Sequence, residues 1–338
     1  MLRVGIWGCG GISAQHRRAY QKLEETGVPV KLVALCDINP ENFNREIKIN
    51  TSSITDEPLI RVDNCYTDID EMLEKENLDL VDICLPTFLH KDAVIKALAK
   101  DINVLVEKPM ASTEEECEEM IAAAHKSKGQ LMVGHLVRFY ESTAYLKSIV
   151  DSGKYGKLVA GDFTRLSALP AWRIKKGKEY TNRADGVIFD MHLHDIDLVQ
   201  YIFGIPKQIS AVSSGKISYC DSVTTTFVYD DAFVTVRGDW GYPQSFPFKA
   251  LWRVKFEEAT IYCDQTGKVT LYEDEGSTTL DQIHVNGGIY EEIEYFVNLL
   301  LNGGKNEINP PESTLETIKL IDAVGKSAEN GGMTIVIE

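Results

Sequence analysis

Arg3-Val4-Gly5-Ile6-Trp7-Gly8-Cys9-Gly10-Gly11-Ile12-Ser13 opens the chain with an apolar strand, a glycine-rich turn and the start of a helix. In that order the turn lets backbone amides approach a pyrophosphate, which then sits at the positive end of the helix. Gly8 permits the tight turn and Gly10 close approach, while Gly11 and Ile12 lead into the helix. Ser13 fills the third site, where glycine or alanine is commoner and a small side chain is needed. Outward from this stretch, short apolar runs (Arg3–Trp7, Val30–Cys36, Leu80–Leu85, Asn103–Val106, Gln130–Gly134) alternate with helical patterns. The helical patterns lie near Ile12–Glu25, Pro40–Ile49, Ile69–Lys75, His90–Lys100 and Thr113–Lys128. Such alternation predicts βαβ units and a doubly wound parallel sheet, a Rossmann α/β domain over residues 1–128.

The ends of those strands carry the candidate chemistry, because open α/β sheets bind ligands outside their carboxyl edges. Asp37 ends the second strand, 27 positions after Gly10. A carboxylate there accepts hydrogen bonds from ribose hydroxyls and repels a 2′-phosphate, so NAD is favoured over NADP. An Asx turn before Pro40 is the structural alternative. Pro86 and Thr87, after the fourth strand, fit the floor of a nicotinamide-ribose pocket, and His90 begins the next helix. Glu107-Lys108-Pro109 closes the fifth strand. A lysine there either snorkels to solvent or, partly desolvated, carries charge and exchanges protons. The cofactor side thus comprises Gly8, Gly10, Gly11, Ile12, Asp37, Pro86, Thr87, His90, Glu107 and Lys108.

From Lys157 to about Ile283, β-branched and aromatic residues in longer strands dominate. Asp221–Arg237 is expected to form a hairpin around Asp230-Asp231, and Leu251–Val269 two strands with Gly267 in the turn. Val187–Phe203 is a helical interruption. Two helices follow, Tyr290–Leu301 and Ser313–Ala328, the latter opened by the pattern Ser313-x-x-Glu316. Residues 129–338 are expected to form an α+β domain on a mainly antiparallel, open-faced sheet, its last helix placed to pack back on the first domain. Within it, Asp190 and His194 are i,i+4 neighbours on a helix, a spacing at which the carboxylate orients the imidazole as a proton acceptor. A solvated acidic helix is the plainer alternative. A metal pair of His192 and His194 is disfavoured because i,i+2 side chains diverge on a helix. Arg173, in the basic stretch Trp172–Lys178, is a candidate for contacting substrate.

The 338 residues suit two domains, and a net charge of −16 argues against a phosphate-neutralising nucleic-acid surface. The 7 cysteines form no C-x-x-C pair, which favours a reducing cytoplasm over a disulfide framework. No apolar run is long enough to span a bilayer, and a first strand entered at Leu2 is expected to leave no room for a signal peptide. An aromatic-rich outer sheet face, with Phe227, Tyr229, Phe233 or Trp252 outward, would make a homodimer or homotetramer the expected state.

Together, Gly8-x-Gly10-Gly11-Ile12 with His16, Pro86-Thr87-x-x-His90, Glu107-Lys108-Pro109, Arg138-Phe139, Ser152-Gly153-x-x-Gly156 and Asp190-x-x-x-His194-Asp195-x-Asp197 resemble the glucose–fructose oxidoreductase/inositol dehydrogenase family. The resemblance spans almost the whole chain. It implies Lys108 and His194 as catalytic residues supported by Asp190. With Arg173 from the basic stretch, Lys108, Asp190 and His194 make up the expected substrate side, and no metal is expected. The implied activity is NAD-dependent hydride transfer from a secondary alcohol of a cyclic polyol or sugar. Two other functions share the fold: a non-catalytic NAD- or sugar-sensing regulator, and a glycosidase that uses NAD transiently. Val137 and Tyr140 around Arg138-Phe139, and Ala184-Asp185-Gly186 near a frequent Ser-Gly-Gly, depart from the family pattern on the substrate side.

Overall fold

Strands without a polar face are stable only when covered on both sides, and the first half of the chain supplies them. β1 (Leu2–Trp7), β2 (Val30–Cys36), β3 (Asn64–Tyr66), β4 (Leu80–Ile83), β5 (Asn103–Glu107) and β6 (Leu131–Gly134) form a six-stranded sheet. All of its pairings are parallel, and the order is β3-β2-β1-β4-β5-β6. The connections therefore reverse direction between β1 and β4, the switch point at which such sheets bind ligands. This computed structural model describes residues 1–44, 59–170, 186–215, 217–284 and 287–337. The expected helix beyond Asn44, and with it the stretch holding Arg173, lies outside the described residues.

Around this sheet run α1 (Ser13–Glu25), α2 (Ile69–Lys75), α3 (His90–Leu98) and α4 (Glu114–Lys126). The α4 start follows its sequence pattern: Thr113 Oγ1 accepts from the Glu116 amide at 3.2 Å, and Glu116 Oε2 accepts from the Ser112 amide at 3.0 Å. A later helix, α7 (Ile289–Asn302), packs on α1 and buries Ile293, Phe296 and Val297. The chain accordingly separates into two compact units, residues 1–136 with 287–315, and residues 137–286 with 316–338. That division differs from a single cut after residue 128, because β6 completes the first sheet and α7 returns to the first unit.

The second unit is built on a nine-stranded sheet. Its strands are β7 (Leu158–Ala168), β8 (Gln208–Ser214), β9 (Ser222–Val228), β10 (Phe233–Tyr242), β11 (Lys249–Phe256), β12 (Thr260–Cys263), β13 (Val269–Glu273), β14 (Gly276–Thr279) and β15 (Ile335–Val336). The order is β14-β13-β12-β11-β7-β10-β9-β8-β15, antiparallel except where β7 meets β10. The expected hairpin is present as β9 and β10. Helices α5 (Glu141–Ser152), α6 (Leu193–Phe203) and α8 (Pro311–Glu329) accompany it. α8 starts at Pro311, two positions before the expected cap at Ser313, because proline suits a first helical turn whose amides lack intrahelical partners.

Alternation sorts the two sheet faces. Phe163, Phe227, Val234, Val236, Trp252 and Val254 point into the core, while Thr224, Arg237, Arg253 and Lys255 are exposed. Phe227 and Trp252 therefore do not contribute to an outer apolar patch, because their registers place them on the inner face; Phe233 is 49% exposed. Two buried fork-to-fork ion pairs hold α6 in place. Arg165 of β7 clasps Asp195 through Nε at 2.9 Å and Nη2 at 2.8 Å. Arg138 clasps Asp197 at 2.9 and 2.6 Å, and Thr317 of α8 donates to the same carboxylate at 2.8 Å. Losing one partner of such a pair strands a buried charge and costs about 3–5 kcal/mol. The exposed pair Arg253–Asp162, at 3.0–3.1 Å, contributes less than about 1 kcal/mol.

His192 adds a third anchor. Its ring is fully buried, its Nε2 lies 2.9 Å from Thr225 Oγ1 of β9, and a Cβ on Gly238 of β10 would come within 2.8 Å of its Nδ1. Burial, helped by the Arg165 charge, pushes its pKa down to about 3. The unfolded imidazole titrates near ~6.5, so between these values the unfolded chain binds the extra proton. His192 thus stabilises the fold above pH ~6.5 and loses that contribution as pH falls toward 3. In His192→Asn, denaturant titrations across that window should show a slope of unfolding free energy against pH smaller by up to about 1.4 kcal/mol per unit.

Candidate active site

The glycine turn sits at the switch point. Gly8 has φ +99°, and a Cβ there would lie 2.7 Å from the Cys84 carbonyl oxygen, so the loops after β1 and β4 touch with no room for a side chain. Gly10 is different: a Cβ would meet nothing within 4 Å, leaving open space above the turn. α1 begins at Ser13 with Ile12 in the capping position, no side-chain cap and no acidic residue in its first turn. Its leading amides and the dipole are available to an anion. The Ser13 hydroxyl donates to Gly10 O at 2.7 Å, which fixes the turn.

Asp37, half-buried at the end of β2, accepts from the Cys9 amide at 2.7 Å through Oδ2. Its Oδ1 accepts from the Asn39 amide at 2.8 Å and from Asn42 Nδ2 at 3.1 Å. The Asx turn is present, and the same carboxylate also accepts from the glycine turn. These residues fit an NAD molecule: Gly10 to Ile12 would hold its pyrophosphate and Asp37 its adenosine ribose.

On the other side of the switch point, Pro86 is exposed and Thr87 half-buried in a short 3₁₀ turn, Thr87–Leu89. His90 is buried, with Nδ1 2.9 Å from Pro109 O and Nε2 2.8 Å from Leu85 O. Its side chain clamps the two loops together and is not exposed to a ligand. Lys108 is half-buried at the end of β5, and the Lys108–Pro109 peptide is cis. Glu107 is 7% exposed; its Oε2 accepts from the Lys108 amide at 3.1 Å and its Oε1 lies 3.0 Å from His16 Nε2. Glu107 therefore supports Lys108 from beneath.

In the second unit, Asp190 lies in a π-turn, Ile188–His192, that packs against β10, and His194 lies in the first turn of α6. Both are half-buried. A regular α-helix was expected here; the i→i+5 turn instead offsets the helix just before His194, a device common at functional sites. Asp195 and Asp197 of the same motif are committed to Arg165 and Arg138, which makes them the helix's anchors. Sequence reasoning missed Asp82, a fully buried carboxylate of β4 bonded to His16 and Tyr20. The available signal was a charge inside the apolar run Leu80-Val81-Asp82-Ile83.

A family model described as an oxidoreductase family with an NAD-binding Rossmann fold matches residues 2–135, and one for the GFO/IDH/MocA C-terminal domain matches residues 143–265. The chain belongs to the GFO/IDH/MocA oxidoreductase family, and its first unit is an NAD-binding Rossmann domain. It is 28% identical over 158 residues to the 2,7-anhydro-N-acetylneuraminate hydratase of Mediterraneibacter gnavus, covering 45% of this chain and 41% of that protein. It is 23% identical over 350 residues to the D-apiose dehydrogenase of Paraburkholderia graminis, covering 98% and 88%. Among the first curated relatives the matched stretch spans roughly half of the relative's length. A levoglucosan dehydrogenase solved with NADH shares the fold, with a TM-score of 0.81 at 19% identity over 100% of this chain and 99% of that one.

Gly8→Ala and Gly10→Ala should separate the roles of the two glycines. Gly8→Ala meets backbone and a left-handed φ, so thermal unfolding should show a loss of about 1–3 kcal/mol. Gly10→Ala should keep wild-type stability while weakening NAD binding in a fluorescence titration by about tenfold or more, because the methyl fills the space left for the pyrophosphate.

Proposed function

We propose that this chain is an NAD-dependent dehydrogenase acting on a secondary alcohol of a cyclic polyol or sugar. The observation that carries the reading is Lys108, held at the carboxyl edge of the Rossmann sheet by Glu107 and placed one strand from the switch point. NAD, when bound, supplies the hydride acceptor. His194 takes the hydroxyl proton on an imidazole nitrogen, with Asp190 favouring the protonated ring. The Lys108 ammonium hydrogen-bonds the same oxygen and favours its developing negative charge. Arg173 is assigned to the substrate side. The relation to D-apiose dehydrogenase supports a sugar or polyol substrate.

A second reading is favoured by the relation to a hydratase of an anhydro sugar, a reaction with no net oxidation. In it the same residues serve a cycle that returns NAD unchanged. Net NADH formation with a panel of inositols, aldoses, sugar acids and anhydro sugars separates the two. All seven cysteines are free thiols, in keeping with a reducing cytoplasm, and among the described residues no helix is long and apolar enough to cross a membrane. We assign the outer face of the nine-stranded sheet, lined by Thr224, Phe233, Arg237 and Arg253, to contact in a homodimer or homotetramer. A monomeric mass by light scattering at micromolar concentration would refute that assignment.

Lys108→Ala and His194→Ala should each lower kcat by about 10²-fold or more, with the NAD dissociation constant little changed. The double variant should lose less than the product of the single losses, since both groups serve one proton transfer. Asp37→Ala should narrow the preference for NAD over NADP mainly by weakening NAD. Near-normal turnover in both single variants would end this reading of the site.

A further inference from the structure

Beneath Lys108 lies a buried chain of ionisable groups that the reaction above does not use. His16 of α1 is fully buried and has a carboxylate on each ring nitrogen: Asp82 Oδ2 lies 2.8 Å from Nδ1, and Glu107 Oε1 lies 3.0 Å from Nε2. Asp82 Oδ2 also accepts from Tyr20 Oη at 3.0 Å, and the Cys84 thiol lies 3.6 Å from Oδ1. Glu107 closes the chain by accepting the Lys108 amide at 3.1 Å. An acceptor-only carboxylate on each side leaves the ring one way to satisfy both contacts, which is to donate from both nitrogens. His16, Asp82 and Cys84 are close enough to hold a metal ion, but both imidazole nitrogens are already engaged by carboxylates.

We propose that His16 is a permanent imidazolium bridging Asp82 and Glu107, and that this bridge is a positioning device that fixes Lys108 relative to the helix carrying the nucleotide-binding turn. The link is short. α1 starts at the glycine turn, His16 stands in its first turn, and Glu107 immediately precedes Lys108. A shift of α1 would therefore be felt at the Lys108 backbone through two charge-assisted hydrogen bonds. The charged and titratable groups acting there are Tyr20 on α1, Asp82 and Cys84 on β4, Glu107 and Lys108 on β5, with His90 near Glu107 and Glu292 of α7 near Tyr20. Burial works against a charged His16, yet Asp82 and Cys84 together more than offset it and hold the ring well above its ordinary value. Burial likewise opposes the Glu107 charge, and His16 and Lys108 keep its carboxyl below the usual range. The trio carries a net negative charge beside the Lys108 ammonium.

The proposal rests on the reading of Lys108 as the group that stabilises the reacting oxygen, and two measurements keep the ideas apart. Nitrogen-15 NMR of the full chain, with the His16 signals assigned by their loss in His16→Asn, should show both ring nitrogens protonated from about pH 6 to 9, with and without NAD. A neutral tautomer in that range would overturn the bridge whatever the enzyme's activity. Glu107→Gln, which keeps the shape and removes the charge, should lower kcat by about tenfold, leave the NAD dissociation constant within about threefold, and move the alkaline limb of the kcat profile to lower pH. A purely structural role would leave that limb in place, and an unmoved limb counts against the proposal. If Lys108→Ala turns over normally while His16 remains doubly protonated, the positioning role falls together with the reading of Lys108. An inactive Lys108→Ala beside an unaltered Glu107→Gln removes the positioning role alone.

Discussion

The first unit depends on one close approach: a residue without a Cβ at position 8, pressed on the Cys84 carbonyl. Because β1 and β4 are adjacent and parallel, their carboxyl ends come together, and a bulkier residue at Gly8 would force the two loops apart. That contact keeps the start of α1 over the sheet edge, with its leading amides directed to the place where a pyrophosphate belongs. It also puts the Cys9 amide within reach of Asp37, so the turn and the ribose-side carboxylate are set by one local geometry. His90 makes the matching link on the other side, between Leu85 and Pro109. The ligand edge of this sheet is a set of loops tied to one another as well as to the strands beneath.

The second unit places its candidate base by a different means. α6 is buried over most of its surface, so periodicity alone leaves its rotation undetermined. Asp195 and Asp197, each in a buried two-bond clasp, fix that rotation, and His192 wedged over Gly238 fixes its height on the sheet. Three of the charged or titratable residues in the motif thus serve placement, while Asp190 and His194 are only half-buried.

Much of this was legible in the residues. Hydrophobic runs bounded by glycine and proline marked β1, β2, β4, β5 and β6, and the glycine turn identified the ligand edge. β3 escaped because Asn64-Cys65-Tyr66 is a short edge strand that carries little apolar signal. The inward turn of Phe227 and Trp252 depends on register, which composition does not carry. The π-turn was hidden for a related reason: one added residue in a helical turn leaves no mark in a pattern already apolar on most faces. Asp82 was visible as a lone charge in a buried strand, but its partners lie 66 and 62 positions back, at His16 and Tyr20, and only the fold shows them. The family membership bears out the nucleotide-binding reading of the first unit.

The return of residues 287–315 to the first unit has a consequence for synthesis. Ile293, Phe296 and Val297 of α7 cover apolar surface that α1 would otherwise show to water. The ribosome delivers α7 only after the whole stretch 137–286 has been made. At about 5–20 residues per second, that is a delay on the order of ten to thirty seconds during which the nucleotide domain is incomplete. For this period the nascent chain exposes one side of α1, a surface suited to holding by chaperones and vulnerable to aggregation. A fragment ending at β6 would carry the same exposed side permanently, so the nucleotide domain of this chain is not a detachable N-terminal module.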